Sequence, residues 1–142
     1  MTVALLAELD PGATLPKAKT EHAAGLDLTA NVDCGIRPGE WAVVSTGLKV
    51  AIPKGCAGLI LPRSGMALNE GVTVLNAPGL IDPDYRGEVG VCLINHSEHR
   101  CEIEAGQRIA QLVIVPTVPV VPTKANLDPT ERGEGGWGST GR

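Results

Sequence analysis

Apolar positions along this chain recur in short runs, most of them aliphatic or β-branched and closed off by glycine, proline or aspartate. Leu48, Val50 and Ile52 alternate with Lys49 and Ala51, a period of two that sends successive side chains to opposite faces of a strand. GCAGLIL (55–61), GEVGVCLIN (87–95) and RIAQLVIV (108–115) are further strand candidates, spaced by the turn sequences RPGE, PKG and EAGQ. No long amphipathic helix and no internal repeat interrupts them. The pattern predicts an all-β single domain, a barrel or jelly-roll-like sandwich, with one short helix. That helix falls in PRSGMALNEG, where Pro62 stops a strand, Ser64 caps the start, Met66 to Glu70 tolerate the helix and Gly71 ends it.

Beyond Val115 the pattern changes. VPTVPVVPT sets Pro116, Pro119 and Pro122 three residues apart, which suits an edge strand or a polyproline-like arm and forbids a central strand. The chain therefore divides into a barrel over residues 1–122 and a C-terminal arm over 123–142. Fully extended, the stretch from Pro122 to Trp137 spans up to roughly 50 Å, enough to reach a neighbouring subunit. It ends in GEGGWGSTGR, half glycine, with little side-chain surface to bury and a large ordering entropy.

Composition sharpens this picture. The 142 residues are enough to bury a core without staples, and with no phenylalanine that core must come from Val, Leu, Ile and Ala. The three aromatic rings are Trp41, Tyr85 and Trp137; Trp41 carries no motif and is expected in the core or at an interface. A net charge of −4 argues against a nucleic-acid polymer or an anionic membrane as the main partner, though a small anion remains accessible to local positive charge. MTVALLAELDPG is too short and too acidic in its apolar run for a signal peptide or a span, so a cytoplasmic protein is expected. Cys34, Cys56, Cys92 and Cys101 form no CxxC pair and read as reduced core or strand residues. CLINHSEHRC does bring Cys92, His96, His99 and Cys101 together as an imaginable zinc site, but HSEHR reads better as a polar hairpin loop.

Two stretches carry candidate chemistry. In PRSG, a helix start following Arg63 is an anion site in outline, because first-turn N–H groups point outward beside a positive charge; an ordinary turn with a solvated arginine fits the same residues. NAPGLIDPDYRGE (76–88) is denser. Asn76 offers an amide suited to a base edge, Pro78 and Gly79 turn the chain, Asp82 and Asp84 flank Pro83, and Gly87 permits close backbone approach beside Tyr85. A hairpin with a pocket between its arms would gather these groups; plain turn chemistry is the alternative.

AGLDL (24–28), PRSG (62–65), GLIDPDYRGE (79–88), RIAQL (108–112) and RGEGGWGSTG (132–141) resemble, in order and spacing, the five motifs of the trimeric deoxyuridine triphosphate nucleotidohydrolases, the dUTPases. The resemblance runs from Ala24 almost to the C-terminus. It implies hydrolysis of dUTP to dUMP and pyrophosphate with Mg²⁺ in a homotrimer whose sites are shared between subunits.

Residue by residue, the resemblance matches Arg63, Ser64 and Gly65 to the phosphate-binding motif. Asn76, with the backbone around Leu80 and Ile81 and at Gly90, matches the positions that hold uracil. Tyr85 matches the ring that packs on deoxyribose and excludes a 2′-hydroxyl, and Asp82 the carboxylate that deprotonates the attacking water; Asp84 is then structural. Gln111 matches a phosphate contact, while Arg108 looks like an ion-pair partner, and the two are expected on opposite faces of their strand. Asp27 is implied to order the water shell of a Mg²⁺ that has no direct protein ligand, with a strand-end turn as its plain reading. Arg132 matches the tail arginine that reaches the terminal phosphates, with Ser139 beside it. Trp137 stands where the family usually has phenylalanine, and the tail is expected to order over bound nucleotide as a lid. Rival readings are a dCTP deaminase of the same fold and a non-catalytic nucleotide-sensing module.

Overall fold

The computed structural model describes residues 3–141. Among them the chain forms β1 (Leu6–Leu9), β2 (Lys17–Ala18), β3 (Leu26–Thr29), β4 (Cys34–Ile36), β5 (Trp41–Ala51), β6 (Cys56–Leu61), α1 (Ser64–Glu70), β7 (Val72–Val74), β8 (Gly79–Ile81), β9 (Glu88–Asn95), β10 (Cys101–Ile103) and β11 (Arg108–Pro116). The strands make a four-stranded sheet in the order β1-β5-β9-β7, a five-stranded sheet β2-β3-β11-β6-β8 and a two-stranded ribbon β10-β4, all antiparallel. The all-β expectation holds, and each of the three turn sequences carries a glycine at positive φ: Gly39, Gly55 and Gly106.

Alternation places the core. In β9 the residues Val89, Val91, Leu93 and Asn95 are buried and those between them only partly so. Leu28, Ile36, Val44, Leu48, Ile103, Ile109 and Leu112 join them as fully buried side chains, so the core is aliphatic, with none of the three aromatic rings in it. Trp41 is 62% exposed, next to Val43 at 69% on the outward face of β5, so of its two readings, core or interface, the core one is overturned. Besides Thr46, the polar side chain buried among the described residues is that of Asn95. Its amide donates to the carbonyls of Ile36 (2.9 Å) and His99 (2.7 Å), while its Oδ1 accepts from the Ser97 N–H and hydroxyl, so nothing polar is left unpaired.

Three local expectations change. The helix begins one residue earlier than capping by Ser64 requires: Arg63 is the N-cap, in an extended conformation without a side-chain cap, while Gly71 closes the other end in the left-handed region as expected. Neither HSEHR nor NAPGLIDPDYRGE is a hairpin. β9 pairs with β5 and β7 while β10 pairs with β4 and β8 with β6, so both loops carry the chain from one sheet to another. The zinc reading fails too. Cys101 is buried, Cys92 sits among the outward positions of β9, and among the described residues no three His, Cys, Asp or Glu side chains gather as a metal site.

Regular structure ends at Pro116, with the Thr117 N–H still bonded to the Gly55 carbonyl at 2.8 Å. Residues 117–130 are exposed and follow no helix or strand.

Candidate active site

The turn between β8 and β9 builds a cleft of ≈ 210 Å³ whose walls include Asn76, Leu80, Ile81, Asp82, Tyr85 and Gly90. These are the six residues of the dense motif and its following strand that the resemblance matched to uracil, sugar and attacking water, and the sheet-to-sheet crossing brings them together. Ile81 is buried and anchors β8, whereas Leu80 next to it is 65% exposed, as the period of two requires. The Ala77–Pro78 bond is cis. A Cβ at Gly79 would lie 3.3 Å from Asn76 Nδ2, so the amide rests against the glycine backbone.

Tyr85 is fixed from two directions. Its N–H bonds to the Asp82 carbonyl at 3.2 Å, closing the turn, and its hydroxyl donates to the Glu88 carbonyl at 2.9 Å. The ring lies across Gly87, where a Cβ would come within 2.4 Å of the phenol oxygen; only glycine leaves room. Arg86 points its Nη1 back to the carbonyls of Pro83 and Tyr85, bracing the outside of the same turn. Asp82 is exposed at the cleft wall, where its carboxylate faces solvent and anything bound there.

A second cluster forms at the end of β6. Gln111 stands opposite Leu61 of β6 and opposite Asp27 of β3, two residues before Arg63 leaves the sheet. The pairing of β11 with β3 slips between Arg108 and Ala110, so Ile109 and Ala110 are both buried. This bulge turns Arg108 and Gln111 toward the same side, correcting the expectation that they face apart. Arg108 Nη1 lies 3.1 Å from Asp27 Oδ2, the ion pair expected of it, and Arg63 Nη1 donates to the Arg108 carbonyl at 2.8 Å. A methyl at Gly25 would approach Gln111 Oε1 to 2.7 Å, so the glycine of AGLDL reserves the space that the amide occupies. Ser64 and Gly65 are exposed in the first turn of α1. Neither they nor Arg63 or Gln111 line the β8–β9 cleft.

Among the described residues, no hydrogen bond or ion pair joins the tail to either cluster. Arg132 Nε bonds to the carbonyl of Gly135 at 2.8 Å, the Ser139 N–H to that of Gly136 at 2.9 Å, and Trp137 is 108% exposed. Within one chain, then, the three groups of site residues are separate surfaces.

The dUTPase family model matches residues 12–141. The chain belongs to the dUTPase family. A deoxyuridine 5′-triphosphate nucleotidohydrolase from a Picosynechococcus species is 49% identical over 137 residues, covering 96% of each chain. Among solved structures, the dUTPase of Staphylococcus bacteriophage 80alpha with dUPNHPP superposes with a TM-score of 0.91 at 30% identity, covering 99% of this chain and 100% of that one. A mutant dUTPase of phage phi11 of S. aureus, described as coordinating a structural Mg(II) ion, superposes with a TM-score of 0.77 at 25% identity, covering 91% of this chain and 99% of that one.

Sequence reasoning missed Glu88, Val89 and Ile60 in the cleft wall. Val89 and Ile60 are ordinary inward positions of their strands. Glu88 closes the motif GLIDPDYRGE, but its partner lies 43 residues away, and no local pattern announces it.

Proposed function

We propose that this chain hydrolyses dUTP to dUMP and pyrophosphate, in a homotrimer that assembles each site from separate subunits. The observation that carries the reading is the cleft that gathers Asn76, Leu80, Ile81, Asp82, Tyr85 and Gly90. As a member of its family the chain is an enzyme, a dUTP diphosphatase. Its action limits uracil incorporation into DNA and supplies dUMP for thymidylate synthesis.

In this reading the amide of Asn76 and the main chain of β8 and β9 meet the polar edge of uracil. Gly90 keeps that wall close, since a side chain there would strike Val43 at 2.7 Å. The Tyr85 ring, held by the Glu88 carbonyl, packs on the sugar where a 2′-hydroxyl would collide. Asp82 orients a water and takes its proton as it attacks the α-phosphorus, a role that typically contributes ~10²- to 10⁴-fold. Charge then grows on the pyrophosphate leaving group. Arg63, the Ser64 hydroxyl and first-turn N–H groups, and the Gln111 amide receive it, with Arg132 and Ser139 from the tail. Trp137 covers the base.

The donor set near the phosphates fits Mg²⁺ held by phosphate oxygens and water. Asp27 Oδ2 is engaged by Arg108, and no cage of three acidic or imidazole side chains exists among the described residues. Asp27 and Gln111 would accept hydrogen bonds from its waters, and the ion, when bound, would neutralise the triphosphate.

Three features support shared sites. The cleft and the phosphate cluster do not share a wall, no hydrogen bond or ion pair among the described residues ties the tail to either, and the arm exposes Val118, Val120, Val121 and Leu127 at 78–92%. The four cysteines are free thiols, in keeping with a reducing cytoplasm. Pyrophosphate release from dUTP, dTTP, dCTP and UTP, with and without Mg²⁺, tests the proposal. Release confined to dUTP and dependent on Mg²⁺ is expected; turnover of dCTP or no turnover of dUTP overturns it.

A further inference from the structure

We infer that Glu88 is a positioning residue for sugar selection, acting on Tyr85 through the irregular middle of β5. The inference rests on the reading of Tyr85 as the sugar-facing ring. Pairing of β5 with β9 is regular from Trp41↔Ile94 to Ser45↔Gly90 and resumes at Lys49↔Glu88, so Thr46, Gly47 and Leu48 stand against Val89 alone. Such a bulge leaves main-chain groups without ladder partners. Side chains replace them. The Thr46 hydroxyl bonds to the Val89 carbonyl at 2.5 Å and also accepts from the Leu48 N–H at 3.2 Å. The carboxylate of Glu88 takes two more donors: its Oε1 accepts a short hydrogen bond from the Ser45 hydroxyl and another from the Gly47 N–H at 2.9 Å.

Position 47 admits only glycine. Its φ is +63°, and any side chain would meet Asn31 Nδ2 at 2.7 Å and Ala13 Cβ at 2.8 Å. The bulge is thus a seat that depends on this glycine, and the Glu88 side chain ties the start of β9 to it. The carbonyl of the same residue holds the Tyr85 hydroxyl. One residue therefore joins the seat to the ring, with its side chain fixed at one end and its main chain acting at the other. These hydrogen bonds also hold the Glu88 carboxyl below its usual range, Ser45 contributing most and Gly47 next. Without the carboxylate, the carbonyl at residue 88 and the Tyr85 ring gain freedom, and the space meant to exclude a 2′-hydroxyl widens.

The test compares Glu88→Ala, Glu88→Gln and Tyr85→Ala in kcat/KM for dUTP and UTP. Glu88→Ala should raise KM for dUTP and narrow the dUTP/UTP ratio by about tenfold, with the larger share of the loss in KM. Glu88→Gln keeps an acceptor for Ser45 and Gly47 and should restore most of the ratio. Because Tyr85 is the only tyrosine, 3-fluorotyrosine labelling gives a single ¹⁹F resonance in the full-length protein. That resonance should shift or broaden in Glu88→Ala and stay near its native position in Glu88→Gln, whatever the activity. A native resonance and a native ratio in Glu88→Ala overturn the inference when Tyr85→Ala narrows the ratio. If Tyr85→Ala leaves the ratio unchanged as well, the sugar-reading role of Tyr85 fails instead, and the resonance alone decides whether Glu88 seats the ring.

Discussion

The Arg63 guanidinium donates from Nη1 to the main-chain carbonyl of Arg108 at 2.8 Å, and the side chain of Arg108 pairs with Asp27 at 3.1 Å. Three segments far apart in sequence thus meet through two arginines, one aimed by its partner's backbone and the other by a carboxylate. That carbonyl lies just beyond the first β11–β6 pair, Gln111↔Leu61, and beside the bulge between Arg108 and Ala110. A planar guanidinium bonds to the carbonyl and still presents further N–H groups to an anion, whereas an ammonium on a shorter stem cannot reach both. Arg63→Lys should therefore raise KM for dUTP by about tenfold or more while leaving the folded state intact. Steady-state kinetics beside a thermal melt decide this, and an unchanged KM removes the aimed arginine from substrate binding.

How far the sequence foretold this arrangement depends on the range of each interaction. The strand segments were legible because burial acts at a period of two, as in Val89, Val91 and Leu93. Asn76, Leu80, Ile81, Asp82, Tyr85 and Gly90 of the cleft were legible because they fall within one short stretch of motif residues, whereas Ile60, Glu88 and Val89 carry no local signal. Pairing was not legible. HSEHR and DPDYRG have hairpin composition, yet their flanking strands part into different sheets, a choice made by tertiary packing and by Asn95, which ties its loop to Ile36 across 59 residues. The bulges of β5 and β11 were equally hidden, because a single slipped residue leaves the apolar count unchanged while reversing which side Gln111 faces.

A site divided between subunits has a stoichiometric signature. Asp82→Asn should bind nucleotide within a few fold of native while turnover falls by at least ~10²-fold, since the amide cannot take the proton from water. A variant lacking residues 133–142 should be similarly inactive. If Asp82 and the tail of one site come from different subunits, trimers reassembled from equal amounts of the two variants regain about a quarter of native turnover. Sites completed within a single chain would regain none. Measuring pyrophosphate release after co-refolding distinguishes the two arrangements.

Acid should reveal the seat beneath Tyr85. The Glu88 carboxyl is held below its usual value by hydrogen bonds from Ser45 and Gly47. A depressed folded-state value means the unfolded chain binds the proton more readily, so the stabilisation is complete above the unfolded value of about 4.3 and drains away as pH falls below it. Glu88→Gln lacks this component at every pH. The native protein should melt above the variant at neutral pH, and the gap should shrink progressively as pH falls below the unfolded value. A gap that stays constant as the pH is lowered would show that the carboxylate charge contributes nothing.

Trp137 poses the last question, because a fully exposed indole on a glycine-rich tail has no apolar partner of its own. Among the described residues the hydrogen bonds of Arg132, Gly135 and Ser139 stay within the tail, so folding of the barrel places no demand on it. A bound base would supply the missing partner, and the glycines would let main-chain N–H groups close around the phosphates. Ordering such a segment costs entropy, which only nucleotide contacts can offset. Removing residues 133–142 should accordingly leave the melting temperature within a few degrees of native while turnover collapses. Trp137 and Trp41 are the only tryptophans, so a Trp41→Phe background isolates the tail indole. Its emission should shift to the blue on adding non-hydrolysable dUPNHPP and stay unchanged with pyrophosphate alone, because stacking requires the base. An equal shift with pyrophosphate would mean that the tail closes on phosphate charge and that the ring plays no part in holding uracil.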